Sequence, residues 1–575
     1  MVHLDRRATN PAQYHDFTNS GVVIIGAGFS GMCMAIELLK EGIEDFIILE
    51  RGTGFGGTWK DNTYPGCCCD RPTFSVLSRL YCFSFEQNPS WSRLFPEQEE
   101  ILNYIRCVAR KYDLYRFVRF SSEVTEATWD QSSRQWKVVV KVLAGKEAEA
   151  CQSYTIETNF LVAGLGQLSE PYRPGVADEA SFRGKIMHSA RWDWSYDLRD
   201  KRVGIIGNGA TAVQIVPEIA KVADHLTVFQ RTPNWLIPRM NKDVPEWQKI
   251  LLKKVPLLLN RLRAGAMDSR ETYFQALTQR NSVESSEITE FCRDFMKSQL
   301  PDRAELWETL TPDYPAGCKR ILLSDDYYPT IGLPHVSLET RRIQRMTEDG
   351  IIVRGDAEGD AEDPIDLDLI IFATGFKTQD FTHGIKLHGT DKRPLGEIWA
   401  KGASALYGVT AESLPNFGML YGPNTNLGHN SIILMIEAQT RYILSLIKEV
   451  FKARQRSQAL YIMPRADRVK EWNRELQQAL ASSSFADSRC QSWYKAEDGL
   501  VTNNWSGTVI EYQKLMSKVD WSDYEVAGET TAEEIPKGER YIGRVVEETQ
   551  IGTWTLIAST VLGASIAGAF WLQAR

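Results

Sequence analysis

Two glycine-rich turns of one type, about 180 residues apart, constrain this 575-residue chain more than any other feature. The first, Gly26-Ala-Gly28-Phe-Ser-Gly31, follows the apolar run Val22 to Ile25 and opens a helical pattern with Met32, Ala35, Ile36 and Leu39 on one side. Strand, turn and helix in that order use the first glycine for a tight bend. The second lets backbone approach a pyrophosphate, and the third lets helix pack on strand. The next strand, Phe46 to Leu49, ends in Glu50, where an acidic side chain accepts hydrogen bonds from an unphosphorylated ribose. The spacing predicts a site for FAD or NAD.

The second turn, Gly207-Asn-Gly209-Ala-Thr211-Ala212, lies between the strand Arg202 to Ile206 and a helix carrying Val213, Ile215, Val216 and Ile219. Its following strand, Leu226 to Phe229, ends in Gln230-Arg231-Thr232 with no carboxylate. An arginine there suits the 2′-phosphate of NADP. Thr211 and Gln214 join Gly207, Gly209, Arg231 and Thr232 as predicted cofactor contacts. One chain is thus expected to bind two dinucleotides on an α/β fold with two Rossmann-like domains.

A net charge of −8 with no basic stripe argues against nucleic acid as a partner. The ten cysteines show neither even disulfide spacing nor a C-x-x-C pair, so a reducing compartment is expected. The run Cys67-Cys68-Cys69 invites a metal reading, but adjacent side chains diverge, and no metal is predicted. Residues 1–20 read as a polar lead-in without a signal-peptide core. From Ile551 to Leu572 no charge occurs, and that length crosses a bilayer core as a helix. Gly563, Ala564, Ala567 and Gly568 give it small residues four apart. A C-terminal transmembrane helix is expected, anchoring a cytosolic catalytic part to a membrane.

The expected organisation is an FAD-binding domain from 21–165 and 371–528, and an NADP-binding domain from 166–240 and 311–370. A helical insertion at 241–310 caps a cleft, and a linker at 529–550 leads to the 551–572 tail. Asp366 to Phe376 reads as a buried strand returning the chain to the first domain.

Between the turns lies Phe182-x-Gly184-x-x-x-His188-x-x-x-Trp192-Asp193. With Gly56-Gly57-Thr58-Trp59, Tyr64-Pro65-Gly66, Asp70 and the aromatic segment Tyr81 to Trp91, it resembles the flavin-dependent Baeyer-Villiger monooxygenases (class B, type I) over nearly the whole chain up to the linker. The segment Tyr421 to Glu437 is most similar to the branch of aryl-ketone and fungal secondary-metabolite enzymes. Many members carry Ala-Arg-Cys-Asp where this chain has Cys67 to Asp70, so an arginine contact is missing at Cys68.

The resemblance implies FAD and NADPH as cofactors and a small ketone plus O2 as substrates, with ester or lactone as product. It puts Gly57, Thr58, Trp59, Asp61, Asp70 and Arg71 along the FAD, and Arg231, Thr232 and Lys319 at the 2′-phosphate. Trp493 falls near the nicotinamide ribose, and Arg320, held by Asp70, becomes the active-site cation. Arginine suits that role because it stays charged in proteins. His188 reads as a linker histidine, structural before proton-transferring. Two alternatives stay open, a flavin-dependent N- or S-oxygenase and a non-catalytic membrane-attached nucleotide-binding scaffold.

Overall fold

The computed structural model describes residues 18–69, 78–144, 152–355, 357, 360–529 and 536–543. Strand β1 (Asn19–Ile25) begins two residues inside the expected lead-in, pairs in parallel with β2 (Phe46–Leu49), and is joined to it by helix α1 (Phe29–Lys40). The short helix α2 (Thr58–Asp61) follows, then β3 (Val118–Arg119), β4 (Ser122–Asp130), β5 (Gln135–Val142) and β6 (Ser153–Ala163). The order β3-β2-β1-β6-β5-β4 makes one mixed sheet. Residues Gly21 to Ile25 of β1 are buried, and eight of the twelve residues of α1 face inward. A strand covered on both faces needs such a continuous apolar run.

A second sheet, parallel throughout, contains β7 (Lys185–His188), β8 (Arg202–Ile206), β9 (His225–Phe229), β10 (Val336–Glu339) and β11 (Leu369–Phe372) in the order β10-β9-β8-β11-β7. Helix α3 (Ala210–Ile219) joins β8 to β9. The strand expected to return the chain to the first domain is β11, and it lies between β8 and β7 inside the second sheet. A fully buried Leu-Ile-Ile-Phe run suits either sheet, so pattern alone could not assign it. The boundary at 370/371 therefore moves beyond Phe372. The actual return comes with β12 (Lys386–His388), paired to β4, and β13 (Phe417–Met419), paired to β6.

The insertion is helical, with α4 (Glu246–Lys254), α5 (Pro256–Glu271), α6 (Phe274–Thr278) and α7 (Val283–Gln299). Part of the expected 529–550 linker is folded, because Glu539–Tyr541 pairs antiparallel with Lys518–Asp520. Lys518 with Glu539, and Arg540 with Glu449, hold it by ion pairs of 2.6 and 2.8 Å. Acidic composition alone suggested a solvated linker there. Among the described residues no helix is long and apolar enough to cross a membrane. The 551–572 run lies outside the described residues.

Candidate functional site: two dinucleotide cradles and a shared arginine

The first turn bends at Gly26 with φ +102°, where a Cβ would come within 2.5 Å of the Gly164 carbonyl oxygen. A Cβ at Gly31 would meet the Gly26 carbonyl oxygen at 1.9 Å, so the helix can seat on the strand only through glycine. Opposite lies the Gly56-Gly57 bend, both glycines with positive φ. A Cβ on Gly57 would lie 3.1 Å from the Gly28 Cα, so backbone alone walls the channel between them. Glu50 Oε2 accepts from the Ala27 N–H at 2.8 Å and Oε1 from Gly52 N–H at 2.6 Å, which fixes the carboxylate beside the turn. The N-terminus of α1 has no side-chain cap. Free helix N–H groups, a glycine channel and a fixed carboxylate fit the pyrophosphate and ribose of FAD.

The second turn repeats the device with less crowding. Gly207 has φ +109°, its Cβ position blocked by the Ala373 carbonyl at 2.5 Å, while nothing lies within 4 Å of a Cβ at Gly209. Helix α3 likewise lacks a side-chain cap, and Thr211 stands in its first turn. Asn208 Nδ2 donates to Gln230 Oε1 and to the Thr232 carbonyl, which folds the end of β9 against the turn. Gln214 is turned elsewhere. Its Oε1 accepts from Tyr64 Oη at 3.0 Å, so it joins the two domains instead of facing the turn. Gly66 explains the Tyr64-Pro65-Gly66 motif, because a Cβ there would strike the Gln214 carbonyl at 2.6 Å.

Arg231 and Lys319 lie 88 positions apart in sequence and are brought together by a short parallel pair, Leu236–Ile237 with Leu322–Leu323. Tyr314 Oη donates to the Pro233 carbonyl at 2.6 Å and Trp235 Nε1 to the Tyr314 carbonyl at 2.9 Å, which locks one loop on the other. Burial lowers the Lys319 ammonium to about 8, with the Arg231 charge adding to the effect and Asp313 opposing it. Two cations are thus held within electrostatic reach of each other beyond the end of β9, an arrangement that a doubly charged phosphate would suit.

Arg320 follows directly. Burial pushes the phenols of Tyr81, Tyr421 and Tyr494 up, Tyr494 to about 12, and the Arg320 charge partly offsets the rise in all three. The guanidinium therefore stands among three phenols drawn from distant parts of the chain. Tyr81 also accepts from Trp59 Nε1 at 2.9 Å, which brings α2 of the first cradle within electrostatic reach of the arginine. Leu277 of α6, Gly317, Lys319, Arg320, Gly428 and Tyr494 line one small cavity. The Trp493 ring lies 4.6 Å from that of Tyr494, tilted by 58°, and the Trp493 carbonyl accepts from Thr378 Oγ1 and Gln379 Nε2. Asp61 pairs with Arg191 at 3.6 Å, and Thr58 Oγ1 donates to the Leu168 carbonyl at 3.3 Å. Asp70 and Arg71 lie outside the described residues.

The 182–193 fingerprint has a structural reading. Gly184 is required because a Cβ would meet the Asp368 carbonyl at 2.6 Å. Lys185 of β7 pairs with Asp193 at 2.6 Å, and this bond first, then Ser195, holds the carboxyl down at about 2. His188 ends β7, buried, with Nδ1 accepting from the Ala190 N–H at 3.1 Å. Burial lowers its imidazole to about 4, so it is neutral at physiological pH and no proton donor there. Beside it run the two interdomain connections, joined by Tyr172 N–H to the Gly375 carbonyl (2.9 Å) and Lys377 N–H to the Glu170 carbonyl (2.9 Å).

Two features escaped sequence reasoning. Cys318 and Cys490 form a disulfide across 172 residues, stapling the Lys319-Arg320 loop to the segment carrying Trp493. The cysteine spacing, from which a reducing compartment was expected, gave no sign of this bond, because partners so distant leave no spacing signal. Arg239 donates to the Cys68 sulfur, so an arginine from another segment reaches the position where many family members carry their own. No sequence signal announces that contact.

A model of the flavin-binding monooxygenase-like family matches residues 19–383. The FAD-binding monooxygenase ktnD of Aspergillus niger is 48% identical over 97% of this chain and 90% of its own length. A Baeyer-Villiger monooxygenase of Streptomyces coelicolor is 37% identical over 88% of this chain and 92% of its own. Among solved structures, OTEMO in complex with FAD and NADP superposes with a TM-score of 0.75 at 26% identity, covering 88% of this chain and 99% of that one. With two glycine cradles, paired cations and a shared arginine built on that fold, the chain belongs to the flavin-binding monooxygenase-like family.

Proposed function

We propose that this chain is an FAD- and NADPH-dependent Baeyer-Villiger monooxygenase that inserts one oxygen atom from O2 beside a ketone carbonyl, giving an ester or lactone. The observation that carries this reading is Arg320, set next to Lys319 of the 2′-phosphate pair and within electrostatic reach of Tyr81, which bonds Trp59 of the first cradle. The chemistry supplied by the bound groups is hydride transfer from NADPH and activation of O2 on reduced FAD. The chain's own part is to hold the two dinucleotides in fixed cradles and keep a permanent cation where negative charge develops. Tyr494 and Leu277, both buried, line that place with low-dielectric surface, where a fixed charge acts more strongly.

A ketone panel under ¹⁸O2 is expected to yield an ester or lactone carrying one labelled oxygen. Label found only in sulfoxides or N-oxides, after the ketones fail, favours the heteroatom reading. Purified protein without flavin revives the scaffold reading. The fungal relative and the Tyr421 to Glu437 segment support membership of the aryl-ketone and secondary-metabolite branch.

We also infer from sequence that the 551–572 run anchors the chain in a membrane, leaving the folded part on the cytosolic side. Its uncharged length supports this. At high salt, which screens peripheral electrostatic contacts, ending the chain at Gln550 is expected to move the protein from the membrane to the soluble fraction with activity largely kept. Unchanged fractionation counts against the anchor.

A further inference from the structure

Helix α4 is oriented against its own pattern. Trp247, Ile250 and Leu251 recur at i, i+3 and i+4, the spacing of a stripe that normally faces a core. Here that stripe faces outward, with Trp247 66% and Ile250 54% exposed, while Leu252 is the buried residue of the helix. The chain then breaks at Val255 and starts α5 with Pro256, and this bend adds Val255 and Leu257, the latter 69% exposed, to the same stretch. Single exposed apolar residues are ordinary, but five within eleven positions form a patch that calls for a partner.

Charge identifies the partner. Between Arg239 and Arg261 the chain carries six basic residues (Arg239, Lys242, Lys249, Lys253, Lys254 and Arg261) against Asp243 and Glu246, in a protein of net charge −8, though Arg239 is engaged with Cys68 and Lys249 with Glu246 at 2.7 Å. Lys242, Lys253 and Lys254 are exposed beside the apolar side chains. An apolar stripe containing Trp and Leu, bordered by lysines on flexible stems, suits the boundary between acyl chains and anionic headgroups. We propose that the outer face of α4 and the start of α5 docks on a membrane surface bearing anionic lipids.

The surface belongs to the same helical insertion that sends Leu277 to the cavity beside Arg320, so docking places the insertion between lipid and active site. The inference is independent of the C-terminal run, since it rests on folded residues alone. It is also independent of the reaction.

The test is carbene footprinting of the full-length chain, reading labels at Trp247, Ile250 and Leu257. Labelling is expected to be lost with vesicles of phosphatidylcholine mixed with phosphatidylglycerol, and kept with phosphatidylcholine alone. The double variant Lys253→Ala, Lys254→Ala is expected to regain labelling, because each basic side chain near an anionic surface is worth about a fivefold change in binding. Its unchanged NADPH oxidation verifies the fold. A chain held to the anionic vesicles by its tail, yet labelled as freely as in buffer, overturns the proposal. So does equal protection by phosphatidylcholine alone, or protection on concentrating the protein without lipid, which identifies a second copy as the occupant.

Discussion

Arg320→Ala is expected to fold, retain FAD and make almost no ester, a loss of about 10²-fold or more in the rate of product formation. The half-buried guanidinium stands where its charge reaches the buried phenols of Tyr81, Tyr421 and Tyr494. In the proposed mechanism a fixed cation there would stabilise developing negative charge without reorganising solvent, and alanine leaves nothing in its place. FAD retention follows from separation in structure. The glycine bend at Gly26, the Gly28 to Gly57 channel and Glu50, proposed to hold the cofactor, are built from backbone and from a carboxylate fixed by Ala27 and Gly52, not by residue 320. Flavin content of the purified variant and product mass analysis with a ketone panel check the two halves separately. Arg320→Lys is expected to recover part of the activity, since it keeps a charge and loses the planar fork. Ester formation near the parent rate in the alanine variant removes Arg320 from the mechanism.

Both cradles were legible in the sequence because their signal is local. A glycine whose Cβ would strike a carbonyl at 1.9 Å cannot be replaced cheaply, so each turn is written as a short motif beside its own strand and helix. Glu50 and Arg231 were legible for the same reason, each lying one strand beyond its turn. The strand β11 was not assignable in this way. Its four residues are buried on both faces, and such a run reads identically in either sheet. The ordered strand at Glu539–Tyr541 was hidden by charge, because ion pairs formed in the fold look like a solvated linker in the sequence.

Of the grouping around Arg320, only Arg320 itself was expected, and only through resemblance. Arg320, Tyr81, Tyr421 and Tyr494 come from four distant segments, and no periodicity links them. The Cys318–Cys490 staple and the reach of Arg239 to Cys68 belong to the same class, contacts made by topology across long loops. Gln214 is the opposite case. Its place in the first turns of α3 suggested a cofactor contact, yet Tyr64 from the other domain engages its side chain.

The preference for NADPH over NADH is expected to fall by about 10-fold to 100-fold in Arg231→Ala and again in Lys319→Ala, because a charged hydrogen bond is worth about 1.5 to 3 kcal/mol. The preference should also depend on pH, and the sign follows from Lys319. Its ammonium titrates near 8 in the free protein, lowered first by burial and then by Arg231. A bound phosphate dianion favours the charged form and raises that value. The phosphate contact is therefore complete below about 8 and weakens as pH rises above it, since binding must then recapture a proton. The ratio of kcat/KM for NADPH over NADH, measured across that range, is expected to be flat on the acid side and to decline on the basic side. Lys319→Arg is expected to flatten the profile, because a guanidinium does not titrate in this range. A wild type that uses both nicotinamides equally at all pH values leaves the Arg231 and Lys319 pair without its phosphate, and the second cradle without its assigned ligand.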